Sequence, residues 1–136
     1  MGTIGLAYLL DSNTVIYARD GLASVLAKFV EFDGFISISA IVLAELQRGF
    51  LKAGPQADLR RSRLAELVKR IPVAAFDAEA ARTYGRILAE IGWARGKDFD
   101  RMIAAHALSL NATLVTNNEA DFAGIPGLAT ENWAVL

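Results

Sequence analysis

The chain contains no cysteine, a single histidine and only three prolines among its 136 residues. Without cysteine it can form no disulfide, no zinc-thiolate site and no thiol nucleophile, and the reducing cytoplasm is the expected compartment. No apolar run approaches the ~20 residues that a membrane-spanning helix requires. The first ten residues lack the basic segment and the long apolar core of a secretory signal, so we expect a soluble cytoplasmic protein.

Neither sign of charge is in excess, because 14 basic and 15 acidic residues give a formal net charge of −1, and hydrophobic residues make up 54% of the chain. This composition excludes intrinsic disorder and favours one folded domain over residues 1–136. The basic residues are nevertheless concentrated between Arg48 and Arg70, a segment with a net charge of +5. That segment is either a solvated helical surface or a contact for a polyanion.

Apolar periodicity and turn residues predict alternating strands and helices. Such alternation indicates a parallel sheet with helices on both faces. The predicted strands are Leu6–Leu10, Phe35–Ser39, Val73–Phe76, Thr113–Thr116 and an extended C-terminal piece. The predicted helices are Val15–Val30 with a break near Gly21, Ala40–Phe50 ending near Gly49, Gln56–Lys69, Asp77–Ile91 and Asp98–Leu110, and a flexible stretch covers residues 92–97.

Four acidic residues fall where this pattern places the carboxyl ends of strands. Asp11 ends the first strand, Glu45 lies in the helix after the second, Asp100 lies in the first turn of the helix before the fourth, and Asp121 follows that strand. In open α/β sheets this edge is where ligands bind. Each acid has a simpler interpretation as well, since Asp11 or Ser12 can cap a helix, and Glu45 can pair with Arg48 on an exposed surface.

Four carboxylates at one edge repel one another and hold raised pKa values unless a cation neutralises them. Oxygen ligands without Cys or His suit Mg²⁺, and Mn²⁺ can substitute for it. Ions of this kind support phosphoryl chemistry, because they lower the pKa of a bound water and stabilise charge on the phosphate. The pattern therefore predicts a hydrolytic metal site.

Several strings resemble the PIN-domain nucleases, and within them the VapC-type toxins of toxin–antitoxin pairs. The strings are LLDSNTVIY, SAIVLAELQRG, DFDRMIAAHAL, LVTNNEADF, IPGL and the terminal ENW, and they cover nearly the whole chain. The resemblance implies a three-layer α/β/α fold with a central five-stranded parallel sheet. It also implies Mg²⁺-dependent endoribonuclease activity.

By this resemblance Asp11, Glu45, Asp100 and Asp121 match the catalytic, metal-binding quartet of the family. The positions that support the quartet are Thr116, Asn118 and Asn13, with Asp98 in a supporting role at most. Because Asn118 stands where some relatives have an acid, either one or two metal ions fit the pattern. Once Asp11 is a ligand, any capping falls to Ser12 or Asn13. Arg48, one helical turn after Glu45, is expected either to contact an RNA phosphate or to form a structural ion pair.

The family also implies partners. These are a VapB-type antitoxin, an RNA substrate and a second copy of the chain in a homodimer, while DNA is reached only through the antitoxin. We expect the antitoxin tail to bury apolar residues in a groove beside the Ala40–Phe50 helix and to place an arginine among the carboxylates.

Two functions other than a nuclease are also compatible with parts of the sequence. Asp11-Ser12-Asn13-Thr14 differs by one residue from the DxDxT motif of haloacid-dehalogenase-like phosphatases, but Asn13 cannot transfer a proton. A PIN-like domain without catalytic activity, acting as a binding module, is the second alternative, although all four acids are present.

Three single residues invite a functional interpretation that the pattern does not favour. His106 lies on the same helix as Asp100 but on another face, so we expect a packing or surface role and not a general base. Trp93 and Trp133 can stack on bases, but core or dimer packing is the preferred interpretation.

Overall fold

The computed structural model describes residues 7–52 and 54–136. Within these residues the strands are β1 Tyr8–Leu10, β2 Ile36–Ser39, β3 Val73–Ala74, β4 Thr113–Val115 and β5 Thr130–Glu131. The helices are α1 Ser12–Arg19, α2 Ala23–Glu31, α3 Ala40–Gly49, α4 Ala57–Val68, α5 Ala78–Ile91 and α6 Asp98–Ser109. Short 3-10 turns cover Phe50–Lys52, Gly54–Gln56 and Glu119–Phe122. The predicted start of the first strand, Leu6, lies outside the described residues.

All five strands are parallel and follow the order β3-β2-β1-β4-β5. The chain leaves β1 in one direction to β2 and β3, and then returns across the sheet to β4 on the other side of β1. Right-handed crossovers therefore put α1 to α4 on one face and α5 with α6 on the other. This is the predicted three-layer α/β/α fold with a five-stranded parallel sheet.

Most predicted elements are confirmed with small shifts, and two differ more. The helix expected over Val15–Val30 is two helices, and the first begins at Ser12, three residues early. The break occurs at Gly21 as predicted, where a φ of 88° favours glycine. The strand expected over Val73–Phe76 pairs only at its first two residues, because β3 is the short edge strand beside β2.

An aromatic cluster closes the end of the sheet opposite the acidic residues. Trp133 is 3% exposed and stacks on Phe32 with ring centroids 5.7 Å apart, while Tyr8 contacts both rings. The indole Nε1–H of Trp133 donates to Glu131 at 2.9 Å, which satisfies its polar edge. The preferred packing role of Trp133 is thus confirmed.

His106 is buried within the fold. Its Nδ1 lies 2.8 Å from the Ser39 hydroxyl, and Phe76 meets the imidazole edge-to-face at a centroid distance of 5.4 Å. Ser39 in turn caps α3 by accepting the Ile41 N–H at 3.0 Å. Burial lowers the pKa of His106, so the ring is neutral and joins α6 to the end of β2. The packing role expected for this residue is confirmed.

Candidate active site

The candidate site lies at the carboxyl ends of β1 and β4. These strands are neighbours in the sheet, and the connections that follow them lead outward in opposite directions, from β1 to β2 and from β4 to β5. The backbone N–H of Asp11 donates to the carbonyl of Val115 at 3.0 Å, which fixes the first residue after β1 beside the last residue of β4. Thr14 reinforces this junction, because its hydroxyl donates to the same carbonyl at 3.2 Å. A crevice at such a reversal is where open α/β sheets bind ligands.

Asp11 is buried at this junction, with 7% of its surface exposed. Its Oδ1 accepts the backbone N–H of Thr14 at 2.9 Å and so caps α1. The prediction that capping would fall to Ser12 or Asn13 is wrong. The physical reason is that Asp11 alone has the extended backbone of the N-cap position, while Ser12 is already helical. A carboxylate has two oxygens, so the cap orients Asp11 and leaves Oδ2 for another role.

Glu45 projects from α3 toward the same junction. The Ser12 hydroxyl donates to its Oε1 at 2.7 Å, which holds the carboxylate beside the first turn of α1. Burial raises the pKa of Glu45, and the charges of Asp100 and Asp11 raise it further. The alternative in which Glu45 pairs with Arg48 is wrong, because the Arg48 guanidinium lies over the Phe99 ring at 5.3 Å.

Asp100 occupies the first turn of α6, as predicted, and is half-buried. Burial raises its pKa, and so do the charges of Asp121 and Asp11. Because Asp11 and Asp100 each raise the pKa of Glu45, three of the predicted acids act on one another electrostatically, and Asp121 joins them through Asp100.

Asp121 stands at the outer side of the group, in the 3-10 turn after β4. The Asn118 side-chain amide donates to its Oδ2, and the Lys97 ammonium lies 3.8 Å from its Oδ1. The buried Thr116 hydroxyl accepts the Asn118 backbone N–H at 3.0 Å and so shapes this turn. Two of the predicted supporting residues therefore contact Asp121 or its turn, whereas Asn13 is exposed in α1.

Asp98 faces away from the four acids toward a neighbouring loop. Its Oδ1 accepts the Tyr84 hydroxyl at 2.8 Å and the Trp93 indole N–H at 3.0 Å. This arrangement agrees with its predicted place outside the quartet. Trp93 itself is 63% exposed, so core packing is wrong for it, and dimer packing stays a prediction.

A basic groove of about 690 Å³ begins at Ser12 and Glu45 and runs along α3 to α4. Its cations are Arg19, Arg48, Lys52 and Arg60, and its apolar lining includes Leu46, Phe50 and Leu51. Elsewhere in the basic segment, Arg61 and Lys69 form exposed ion pairs with Asp58 and Glu66. The solvated-surface interpretation is confirmed for this part of the segment, and the polyanion contact stays a prediction for the part that lines the groove.

The donor set fits a hard divalent cation in its chemistry. Four carboxylates supply oxygen ligands only, and burial keeps the pKa values of Glu45 and Asp100 raised even though Arg48 and Lys97 act to lower them. As the side chains stand, no three His, Cys, Asp or Glu residues in the described part of the chain are arranged to hold a metal ion. Binding would therefore require the carboxylates to turn toward one another.

Two contacts of the site escaped the sequence analysis. The sequence pattern presents Ser12 only as a helix cap, yet its hydroxyl donates to Glu45, which lies 33 positions away in sequence. Lys97 was assigned to a flexible stretch, yet it reaches Asp121. The position of Lys97 could have predicted this contact. A positive charge directly before a helix N-terminus is unfavourable next to the helix macrodipole, so a nearby anion is expected to compensate it.

The fold and the acidic crevice define a PIN domain. The family model of the PIN domain matches residues 8–128, and the chain therefore belongs to this family. Within it the chain is similar to the VapC ribonucleases. Ribonuclease VapC2 of Rickettsia felis is 37% identical over 134 residues, which are 94% of this chain and 98% of the relative. The tRNA(fMet)-specific endonuclease VapC of Shigella flexneri is 37% identical and covers 95% of this chain and 99% of its own length.

Solved structures give the same result. VapBC2 from Rickettsia felis, bound to a DNA fragment from its promoter, superposes with a TM-score of 0.82 at 36% identity, covering 93% of this chain and 98% of that one. DNA-bound VapBC from Salmonella typhimurium gives a TM-score of 0.85 at 30% identity, covering 95% and 99%. The family resemblance inferred from the sequence strings is confirmed, and it replaces the phosphatase alternative. No helix within residues 7–52 and 54–136 is both long enough and apolar enough to cross a bilayer.

Proposed function

We propose that this chain is the toxin of a toxin–antitoxin pair and a Mg²⁺-dependent endoribonuclease. One observation carries the proposal: carboxylates from four separate segments gather at the crevice between β1 and β4, where burial, and to a smaller extent the neighbouring carboxylates, raise the pKa values of Glu45 and Asp100. Ionised carboxylates in such an arrangement cost folding free energy, so their presence together indicates a functional site. The VapC ribonucleases and endonucleases among its relatives support RNA as the substrate.

Asp11 and Asp100, with Glu45 and Asp121, would hold Mg²⁺, or Mn²⁺ in its place. When bound, such an ion lowers the pKa of a water molecule and offsets negative charge on the phosphate. The protein contributes orientation: the Thr14 N–H fixes Asp11, and the Ser12 hydroxyl fixes Glu45. Glu45 and Asp100 both have raised pKa values and are therefore better suited than an ordinary carboxylate to accept a proton from water. Arg48, in the adjoining groove, is suited to contact a neighbouring phosphate.

Hydrolysis by water predicts the chemistry of the RNA ends. Water attacks phosphorus and displaces one ester oxygen, so one fragment ends in a linear phosphate monoester and the other in a hydroxyl group. The purified chain, incubated with a labelled RNA hairpin and Mg²⁺, should produce such ends, and EDTA should abolish cleavage. Mass spectrometry of the fragments distinguishes this from attack by the 2′-hydroxyl, which leaves a 2′,3′-cyclic phosphate. Cyclic ends formed equally well in EDTA would contradict the proposal.

A binding module without catalytic activity is the second candidate. All four acids are retained at the crevice, so nothing in the described site favours it over a nuclease. An absence of RNA cleavage with both Mg²⁺ and Mn²⁺, combined with tight RNA binding, would favour that module.

The proposed partner is a VapB-type antitoxin, as in the VapBC complexes that this chain resembles. The groove along α3 suits a tail segment, since Leu46, Phe50 and Leu51 offer apolar contacts and Glu45 lies at its inner end. An arginine of the tail reaching that end would bind carboxylates in a bidentate fork and compete with the metal ion. DNA would then be contacted through the antitoxin alone.

The expected result is that the co-purified antitoxin suppresses Mg²⁺-dependent RNA cleavage. Replacing the tail arginine by alanine should restore cleavage while the complex stays intact on size exclusion, because the apolar contacts remain. Replacement of an arginine outside the tail provides the matched control and should leave inhibition unchanged. Undiminished cleavage in the intact wild-type complex would show that the tail does not act at this site.

A further inference from the structure

The two tryptophans of the chain occupy opposite environments. Trp133 is 3% exposed in the aromatic cluster, whereas Trp93 is 63% exposed in the loop between α5 and α6. A large aromatic ring in water forgoes the stabilisation that burial would give it. An exposed tryptophan that is also held in place is therefore a candidate for contact with a ligand.

Trp93 is held at its polar edge. Its Nε1–H donates to Asp98 Oδ1 at 3.0 Å, and the Tyr84 hydroxyl donates to the same oxygen at 2.8 Å. The loop is fixed on either side of the ring, because the Arg101 guanidinium donates to the Gly92 carbonyl and the Lys97 N–H donates to the Ala94 carbonyl. The indole N–H edge is thus satisfied within the protein, and what the ring offers to solvent is its apolar surface.

The loop that carries Trp93 adjoins the acidic crevice at two points. Asp98 opens α6, and Asp100 lies in the same first turn. Lys97, the residue before Asp98, reaches Asp121 across 3.8 Å. Phe99, the residue after Asp98, has a ring that is 40% exposed and that lies under the Arg48 guanidinium.

We propose that Trp93 is a stacking subsite for an unpaired nucleobase of the RNA, next to the phosphate that is cut. This inference rests on the proposed function and adds a specificity element to it. Every base has a π face, so an exposed and immobilised indole binds single-stranded RNA without a requirement for one sequence. Arg95, Lys97 and Arg101 lie close to Trp93 in sequence, and their positive charges suit the phosphates of a polyanion.

Fluorescence gives a direct test, because the chain has only two tryptophans. Replacing Trp133 by phenylalanine leaves Trp93 as the sole indole, and an added Asp100→Asn change prevents cutting. Titration with a short single-stranded RNA should quench the Trp93 emission to saturation. The same oligomer with abasic sites keeps its phosphates but lacks bases, and it should quench far less. Equal quenching by the two oligomers would show that phosphates and not bases reach this loop, and would overturn the proposal.

Cleavage kinetics supply a second test in the otherwise unchanged chain. Trp93→Ala should raise KM for single-stranded RNA by roughly 5- to 100-fold with a nearly unchanged kcat, since stacking contributes equally to ground and transition states. Trp93→Phe should recover most of the loss. Val30→Ala is the control, because Val30 is an apolar residue of α2 that is 80% exposed.

The outcomes separate this proposal from the one on which it rests. If Trp93→Ala leaves KM unchanged while Asp100→Asn is inactive, the nuclease assignment stands and the stacking subsite is wrong. If Asp100→Asn cleaves like the wild type, the nuclease assignment itself is wrong. A Trp93→Ala protein that changes its mass by light scattering, but not its KM, would assign the ring to an interface between copies and overturn the proposal.

Discussion

Replacing Asp100 by asparagine should reduce RNA cleavage by about 100- to 1,000-fold or more, because it removes a carboxylate that would hold the metal ion, and the positive charge of that ion offsets the negative charge developing on the phosphate. Asp11→Asn and Glu45→Gln should act in the same direction. Each change conserves volume, and asparagine at position 11 can still accept the Thr14 N–H that caps α1. The folded structure should therefore survive, which circular dichroism and thermal melting would verify.

Growth provides a second measurement of the same substitutions. Expression of the wild-type chain alone should arrest growth, and each of the three variants should relieve the arrest at equal soluble protein level. Asp33→Asn is the control, because Asp33 is an exposed acid in the turn before β2, at the opposite end of that strand from the acids of the site. Continued arrest by all three soluble variants would remove the basis of the metal-nuclease assignment.

The second large effect concerns stability, and it separates a metal site from carboxylates that only cap helices. A divalent ion that binds the folded state alone stabilises it by ~2.7 kcal/mol at a hundredfold excess over its Kd. In a domain of this size each kcal/mol moves Tm by roughly 3–6 °C, so the wild type should gain about 10 °C. Mn²⁺ should match or exceed Mg²⁺. Melting in EDTA, Mg²⁺ and Mn²⁺ at fixed ionic strength excludes general screening as the cause.

Asp100→Asn should differ from the wild type in both conditions. Without metal its Tm should be equal or higher, because the raised pKa of Asp100 means that its ionised form destabilises the folded state. With metal its gain should be much smaller. If both proteins gained equally from the metal, Asp100 would not be a ligand.

The fold could be predicted from the sequence largely because β1 and β4 are short apolar runs followed by polar residues. Leu9, Leu10 and Leu114 are fully buried, so their pattern reports burial directly. The break expected near Gly21 is confirmed, whereas the helix before it begins three residues earlier than expected because Asp11 caps it at Ser12.

The sequence predicted which acidic residues lie together at the site. It did not predict which hydrogen bonds hold their side chains. Strand order alone places Asp11 near Asp121, since both follow strands that become neighbours. The bond from Ser12 to Glu45 and the position of Trp93 depend on contacts between segments distant in sequence, which no local pattern encodes. For Asp11, the helix-cap and metal-ligand interpretations do not exclude each other. Its Oδ1 caps α1, and this bond leaves Oδ2 for a metal ion.

The pairing of β4 with β1 means that the acidic crevice is completed only by nearly the whole chain. The hydrogen bond from the Thr14 hydroxyl to the Val115 carbonyl spans 101 positions, and Asp121 follows later still. Contacts between segments so distant in sequence form late in folding. A fragment that ends before β4 retains Asp11, Glu45 and Asp100 but lacks the strand beside which Asp11 is held, so no smaller unit of this fold carries the complete crevice.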